Sequence, residues 1–396
     1  MHRSFAMINQ SISVDERNAL LPLIAASFFQ VVDMMIVNPL GAWIVPELGL
    51  DTAQFSVLLS VYNLVSAAIG LMAAPLLDRF NRRSVLFSAC LALALVTLLT
   101  ASANGLIVLA VLRGMAGACG GVLASQALAM AGDLVAPQRR GQAIGFVMSS
   151  FGIASVVGVP LSLAVASKFG WRASFIGIGA AGLLISMFML VLPSVQPSRM
   201  GIAIRDHLMA CRANAGALFA SGCLAASVFL IIPFISLYYV GHVGVQTSEL
   251  SLIYVAGGLS AMLFMKRAGQ WSDRFGASTV FFWLAALSLV PILTLTNLGN
   301  FGLPAAMVAS ILFFCLVAGR NVPLNALLVS SVPVNLRGGF MSVNVAGQSL
   351  ATALGAVVGG FLSSLEGAVT GTFQINGMAS AAMTSIAMIA VLKLRR

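Results

Sequence analysis

The feature that most constrains this chain is how little charge it carries. Only 8% of its 396 residues are Asp, Glu, Lys or Arg, and 60% are hydrophobic, with a mean hydropathy of +1.02. A water-soluble domain of this length takes roughly a quarter of its residues as charged ones to cover its surface. This chain lacks that surface, so its solvent is mostly lipid. The apolar character runs from about Leu20 to Leu394. The residues before Ala19 are polar and of mixed charge (Arg3, Asp15, Glu16, Arg17), unlike a secretory leader, and the first apolar run is long enough to be a retained membrane helix.

A bilayer core of about 30 Å is crossed by about 20 apolar residues in a helix. Apolar runs between polar breaks predict twelve spanning helices, starting near residues 19, 55, 85, 105, 141, 172, 213, 249, 277, 302, 339 and 369. The runs are continuous rather than alternating, which excludes a β-barrel. The fold class is therefore an all-α membrane protein.

With the N-terminus in the cytoplasm, seventeen of the 21 Lys and Arg residues fall on cytoplasmic segments and helix ends. Only Lys168 and Arg172 fall outside, and Arg113 and Arg320 fall within helices. That bias sets orientation in membranes and places both termini in the cytoplasm. It also accounts for the net charge of +10. The basic residues stand singly or in pairs between apolar runs, with no basic helix face, so no nucleic acid is implied as a partner. Cys90, Cys119, Cys211, Cys223 and Cys315 lie far apart and read as small buried hydrophobes.

The chain resembles itself. Ala74-Pro75-Leu76-Leu77-Asp78-Arg79-Phe80-Asn81-Arg82-Arg83 follows the second run, and Gly269-Gln270-Trp271-Ser272-Asp273-Arg274-Phe275-Gly276 follows the eighth; their aspartates are 195 residues apart (273 − 78). Arg140-Gly141 and Arg337-Gly338 start the fifth and eleventh runs, 197 apart (337 − 140). Two markers with nearly one offset divide the chain into two pseudo-symmetric six-helix bundles. The expected domains are a cytoplasmic tail over 1–18, an N-terminal bundle over 19–194, a cytoplasmic linker over 195–212 and a C-terminal bundle over 213–396.

The Asp-Arg-Phe segments are similar to the loop motif of the major facilitator superfamily, G-x-L-A-D-R-x-G-R-R. Ala74 and Asn81 replace glycines in the first copy; Asn81 is a mild change because Asn tolerates a left-handed turn. The second copy has Ala277 where an arginine is usual. Arg113 followed by Gly114, Gly117, Gly120 and Gly121 resembles the family's fourth-helix motif. Gly152, Gly158 and Pro160 resemble its antiporter motif loosely, since Val159 and Ser162 break the pattern. Gly170-Trp171-Arg172-Ala173-Ser174-Phe175, the stretch Asp33 to Gly41 and the stretch Arg337 to Asn344 look like those of bacterial efflux members, in the drug:proton antiporter-like (arabinose-efflux-permease-like) branch. The resemblance implies alternating access by the two bundles. It also implies a cytoplasmic gate of Asp78, Arg79, Arg82, Arg83 and Asp133, with Asp273 and Arg274 in the second copy; in the family the loop aspartate meets helix 11 and the arginines meet an acid at the end of helix 4.

Gly145, Gly152 and Gly158 in the fifth run, and Gly347, Gly355 and Gly359 in the eleventh, let helices approach closely. They serve either static packing or faces that slide as the bundles rock.

Asp33 is the only acidic residue deep in a predicted helix, and such a group is a functional candidate by default. At 1.5 Å per residue Asp33 lies roughly 10 Å and Arg113 roughly 12 Å below the outer surface, so an ion pair fits, with Asn63 at a similar level. Burial raises a carboxyl's pKa and a nearby cation lowers it, and a group balanced between them exchanges a proton when its partner moves. Asp33 and Arg113 are therefore the expected proton-coupling pair; a permanently ionised structural pair is the alternative. Arg320 falls in the inner third of the membrane with no acid at its depth. It either holds helix-end carbonyls or faces the cavity with Asn321 and Asn325 beside it. Gln30, Gln126, Tyr238, Asn344 and Gln348 either line the cavity or bond between helices. Trp43 and Trp171 near helix ends read as interfacial anchors.

An intramembrane enzyme would need a nucleophile and base or a metal cluster. His2, His207 and His242 are all placed outside the helices, and neither H-E-x-x-H, G-x-S-x-G nor a Walker A pattern occurs. A receptor would carry a signalling domain. The sequence thus reads as a non-enzymatic secondary transporter without cofactor or metal, a monomer in the bacterial inner membrane whose partners are a small-molecule substrate, protons and the lipid bilayer. Proton-coupled efflux is the leading mode, with proton-coupled uptake or an uncoupled facilitator as alternatives.

Overall fold

The structure, a computed structural model, describes residues 14–77, 80–135, 140–194, 204–333, 337–364 and 373–393. Where lipid replaces water, every backbone polar group must find a partner within the protein, and long apolar runs therefore close into helices. The helices are α1 (Val14–Leu48), α2 (Thr52–Leu77), α3 (Arg82–Thr100), α4 (Leu106–Asp133), α5 (Arg140–Ile153), α6 (Val159–Phe169), α7 (Trp171–Phe188), α8 (Ile204–Ala213), α9 (Ala215–Phe229), α10 (Ile232–Tyr238), α11 (Leu250–Phe275), α12 (Ala277–Thr296), α13 (Gly302–Ser330), α14 (Arg337–Ser364) and α15 (Phe373–Lys393). Among the described residues twelve stretches are long and apolar enough to cross a membrane. The perimeter exposes large apolar side chains such as Ile107, Val111, Leu184 and Phe361, as a lipid-facing surface does.

Two crossings are composite. A π-helical turn, Ala154–Gly158, joins α5 to α6 in the fifth. The seventh breaks at Leu230 and Ile231 between α9 and α10, then ends in a second π-helical turn, Tyr239–Val243. Pro233, at the start of α10, lacks the N–H that would continue the ladder. The Asn376 amide of α15 donates to the Leu230 carbonyl at 2.9 Å and approaches the Gly359 carbonyl of α14 at 3.1 Å. A neighbouring helix thus supplies the bond that the break removes, as hydrocarbon surroundings require.

An even number of crossings returns the chain to the side on which it started, called here the terminal side; the opposite is the far side. The first six and last six crossings pack through α2 on α14, α1 on α10, and α11 on α6 and the π-turn before it. Of these, α10 and α6 belong to the far-side halves of their crossings. The Ser60 hydroxyl of α2 lies 2.9 Å from the Ala353 carbonyl of α14 and 2.8 Å from the Ser56 carbonyl of its own helix, either of which can take its one proton. Beside them Gly360 is so close to Ser56 that no Cβ would fit. At the far-side rim Glu47 of α1 pairs with Arg172 and accepts from the Trp171 indole at 2.8 Å. The two sets of crossings are therefore drawn together on the far side.

Four expectations need correcting. Among the described residues nothing lies within 4 Å of where a Cβ on Gly152 or Gly347 would sit, so neither position needs a glycine for close approach here. Asn81 is extended (φ −62°, ψ 123°) rather than left-handed; its side chain accepts from the Arg83 amide and caps α3, whereas its repeat partner Gly276 does turn left-handed at φ 87°. Trp171 is no interfacial anchor: it is fully buried, edge-on to Phe175. His242 lies within the turn that ends the seventh crossing, not outside the membrane helices, whereas His207 lies on α8, outside the crossings.

Candidate functional site

Close helix packing builds the site. A Cβ on Gly117 would collide with the Tyr62 carbonyl, and one on Gly121 would come within 2.5 Å of the Ser66 carbonyl, so the glycines after Arg113 let α4 lie directly on α2. That approach carries Arg113 into the first six crossings, where it is 1% exposed and Asp33 is 0% exposed.

Asp33 and Arg113 meet there. The guanidinium Nη1 lies 3.2 Å from one carboxylate oxygen and 3.3 Å from the other, and Nη2 lies 3.3 Å from Oδ1. Nη2 also donates to Thr100 Oγ1 at 3.0 Å. The guanidinium sits 5.1 Å from the Phe175 ring centre and 6.0 Å from that of Tyr62, within cation–π range of both. Thr97 Oγ1 is 2.8 Å from Asp33 Oδ1 and also 2.8 Å from the Leu93 carbonyl. A hydroxyl has one proton, so it serves one acceptor at a time. With Asp33 ionised, Thr97 donates to it; with Asp33 protonated, the carboxyl donates to Thr97, which turns its own proton to Leu93. Thr97 thus keeps a hydrogen bond to Asp33 in either state, whereas a protonated Asp33 leaves Arg113 without its counter-charge.

Beside Arg113 lies a small pocket. Its walls are Met34, Val37 and Asn38 of α1, Leu58, Leu59, Tyr62 and Asn63 of α2, Arg113 of α4 and Phe229 at the end of α9, where the seventh crossing breaks. It therefore spans the two sets of six crossings. Of the cavity residues expected from sequence, Asn63 lines it; its amide also donates to the Leu59 carbonyl at 3.0 Å.

The other expected residues sit elsewhere. Gln30 lies behind Tyr62 and approaches its hydroxyl at 3.4 Å. Gln126 accepts from Arg82 at 3.0 Å and so belongs with the loop arginine. Tyr238 bonds to the Leu298 carbonyl and stacks on His242. Gln348 donates to Ser221 at 2.7 Å, tying α14 to α9. Asn344 is buried, and Asn321 and Asn325 are half-buried.

Arg320 is fully buried within the last six crossings. It donates to Ser288 at 2.8 Å and Thr384 at 3.0 Å through Nη1, and to Ser227 at 2.7 Å through Nη2. Each hydroxyl also reaches a carbonyl of its own helix, so its proton goes there and a lone pair faces the guanidinium. Among the described residues no carboxylate pairs with it.

Of the expected gate, Arg82 Nε meets Asp133 at 2.6 Å. Arg83 instead approaches the Leu192 carbonyl at 3.4 Å. Asp78 and Arg79 lie outside the described residues, and Asp273 and Arg274 are exposed on the terminal side, where Arg274 lies over Phe275. Gly158 packs against Val32 and Phe28, Gly355 against the Ala226 backbone, and Pro160 is buried.

Sequence reasoning missed Thr97, Thr100, Tyr62, Phe175 and Asn38. Threonine in an apolar helix ordinarily bonds its own preceding turn, and nothing in the chain marks these two as also facing Asp33 and Arg113.

Twelve apolar crossings, two sets of six and a buried carboxylate–guanidinium pair define a secondary-transporter architecture, and comparison with known proteins agrees. Residues 23–207 and 217–396 match the family model of the Major Facilitator Superfamily, and the chain belongs to that family. It is 30% identical over 150 residues to the multidrug transporter protein MdtP of Bacillus subtilis (strain 168), covering 38% of this chain and only 28% of that relative. Two uncharacterized MFS-type transporters of the same organism match over most of their length: YtbD at 22% identity (89% of this chain, 90% of the relative) and YceJ at 25% (86% and 88%). Among solved structures, a bacterial homolog of the human lysosomal transporter Spinster, inward-facing and unoccupied, aligns with a TM-score of 0.71 at 16% identity over 97% of this chain and 96% of that one. A mutant of the nucleoside transporter NupG aligns at 0.76 and 15% identity over 96% and 100%. These two likenesses concern the fold.

Proposed function

We propose that this member of the superfamily is a proton-coupled exporter that exchanges a small organic molecule for protons by alternating access. The observation that carries the proposal is the buried Asp33–Arg113 pair, whose arginine lines a pocket shared by both sets of crossings. A carboxylate deep in a membrane helix is costly unless it works. Protonating Asp33 removes the negative charge that neutralises Arg113, and in low-dielectric surroundings the bare cation changes the stability of everything beside it. Thr97 serves Asp33 in either state, which lets the proton come and go. Export, rather than uptake, is favoured by the partial antiporter pattern at Gly152, Gly158 and Pro160 and by the likeness to a multidrug transporter.

In this reading residues 19–194 and 213–396 rock against each other, joined by the 195–212 linker, with both termini in the cytoplasm of an inner-membrane monomer. The far side is then the cell exterior and is closed in this conformation. In the opposite state the Asp78 loop, with Arg79, Arg82 and Asp133, holds the terminal side shut, and the uncovered Gly152 and Gly347 faces meet new neighbours.

The test uses inside-out vesicles acidified by respiration, with interior pH followed while drugs, amino acids, sugars and organic anions are added. Substrate-triggered alkalinisation that vanishes in Asp33→Asn, with the variant folded, is the expected result. A response unchanged in Asp33→Asn would remove Asp33 as proton carrier.

A further inference from the structure

A proton on Asp33 takes the counter-charge from Arg113 but not the hydrogen bonds around it. Thr100 still accepts at 3.0 Å, and a neutral carboxyl still offers a carbonyl oxygen. What the guanidinium then lacks is something negative. Two aromatic rings stand beside it: Phe175 of α7, with its centre 5.1 Å away, and Tyr62 of α2, at 6.0 Å. The face of such a ring carries partial negative charge and attracts a cation. It interacts weakly with a neutral ion pair and more strongly with a lone cation. Both rings are firmly held. Phe175 is fully buried, at 87° and 5.8 Å to the buried Trp171, whose indole is fixed on Glu47. Tyr62 is buried against α4, its carbonyl facing Gly117 and its hydroxyl Gly120.

We infer that Tyr62 and Phe175 are positioning residues that share the Arg113 charge while Asp33 carries a proton, and so set how readily Asp33 is protonated. The inference rests on the proton-exchange reading above. The rings offset only part of the lost pairing, so the proton still changes the balance of the molecule. Around the pair, α2 brings Tyr62, α3 the hydroxyls of Thr97 and Thr100, α4 Arg113 and the nearby Cys119, and α7 Phe175. Tyr62 and Cys119 are of types ordinarily neutral below about pH 8. Of the other helices packed on α1, α5 and α6 carry their charged residues, Arg140 and Lys168, at their ends, and α10 carries none.

The test follows the carboxyl C=O infrared band of protonated Asp33 against pH, in the whole protein in maltoside micelles, which hold no carbonyl of their own. Asp33→Asn identifies the band by its loss. Phe175 is replaced, by nonsense suppression, with mono-, di- and trifluorophenylalanine, which keep the ring's shape and drain the charge from its face. A weaker face penalises the lone cation more than the ion pair, so protonation should need more acid. The midpoint is expected to fall stepwise with each fluorine, by about one pH unit over the series. Tyr62→Leu should lower it by about half a unit, and Tyr62→Phe, which keeps a ring, should leave it nearly unmoved. Thermal unfolding shows that each variant is folded. A midpoint indifferent to fluorination would overturn the aromatic role while leaving Asp33 a titrating group, so the exchange reading would stand. A band that never appears would overturn both. A graded shift in a protein that shows no exchange in vesicles would uphold the aromatic role and count against the exporter reading alone.

Discussion

The two buried arginines of this transporter solve one problem in two ways. Arg113, in the first six crossings, faces a carboxylate that can take a proton, and two threonines complete its surroundings. Arg320, in the last six, faces three hydroxyls from α9, α12 and α15. Hydroxyls do not titrate in the physiological range. The first arrangement can switch charge; the second can only hold helices together. On the proposed reading, coupling belongs to one half of the molecule and a fixed brace to the other.

The largest effect that would break the comparison comes from removing each cation. Arg113→Met strands Asp33 in a dry interior, and taking one partner from a buried pair costs about 3 to 5 kcal/mol. Arg320→Met strands nothing, because Ser227, Ser288 and Thr384 keep their bonds to their own helices; its unfolding free energy should change by no more than about 1 kcal/mol. Chemical unfolding in detergent micelles compares them, and equal losses would erase the distinction.

A smaller difference separates the hydroxyls. Thr97→Val removes a hydrogen bond to an ion, about 2 kcal/mol, and should slow exchange at least tenfold, with Thr97→Ser restoring most of it. Ser288→Ala removes one of three neutral acceptors and should leave exchange rates within about twofold. Vesicle exchange assays on the three variants decide this, and a Ser288→Ala defect as deep as that of Thr97→Val would mean the brace takes part in coupling.

The smallest effects separate a packed from an uncovered glycine of the same helix, α14. Gly355→Ala would put a Cβ 2.6 Å from the Ala226 carbonyl and should cost about 1 to 3 kcal/mol of stability. Gly347→Ala meets nothing within 4 Å and should change stability by less than about 0.5 kcal/mol. Thermal unfolding of both variants tests the ordering.

The crossings were legible because hydrocarbon leaves the chain no choice: runs of about 20 apolar residues must be helices. The break at Leu230 and Ile231 was not, since apolarity does not reveal a backbone gap and the residue that repairs it, Asn376, is remote in sequence. The Asp33–Arg113 pairing followed from counting residues inward from helix ends. Depth alone does not give direction around a helix, which left Gln126 and Arg320 open between lining the cavity and bonding within the protein; Gln126 meets Arg82 and Arg320 a hydroxyl cluster. Asn38 stood in a recognised stretch, yet only packing reveals that its carbonyl oxygen has no partner among the described residues.

The central claim is that a proton on Asp33 sets the balance between the two states. It is tested most directly by spin–spin distances between labels at Met148→Cys on α5 and Met265→Cys on α11, both exposed in the terminal-side halves of their crossings. Labels would be placed in a cysteine-free background and read in nanodiscs across the pH range. The account predicts two distance populations whose ratio shifts with pH in the otherwise wild-type chain and is fixed at one value in Asp33→Asn. The same pH-dependent shift in Asp33→Asn would contradict it.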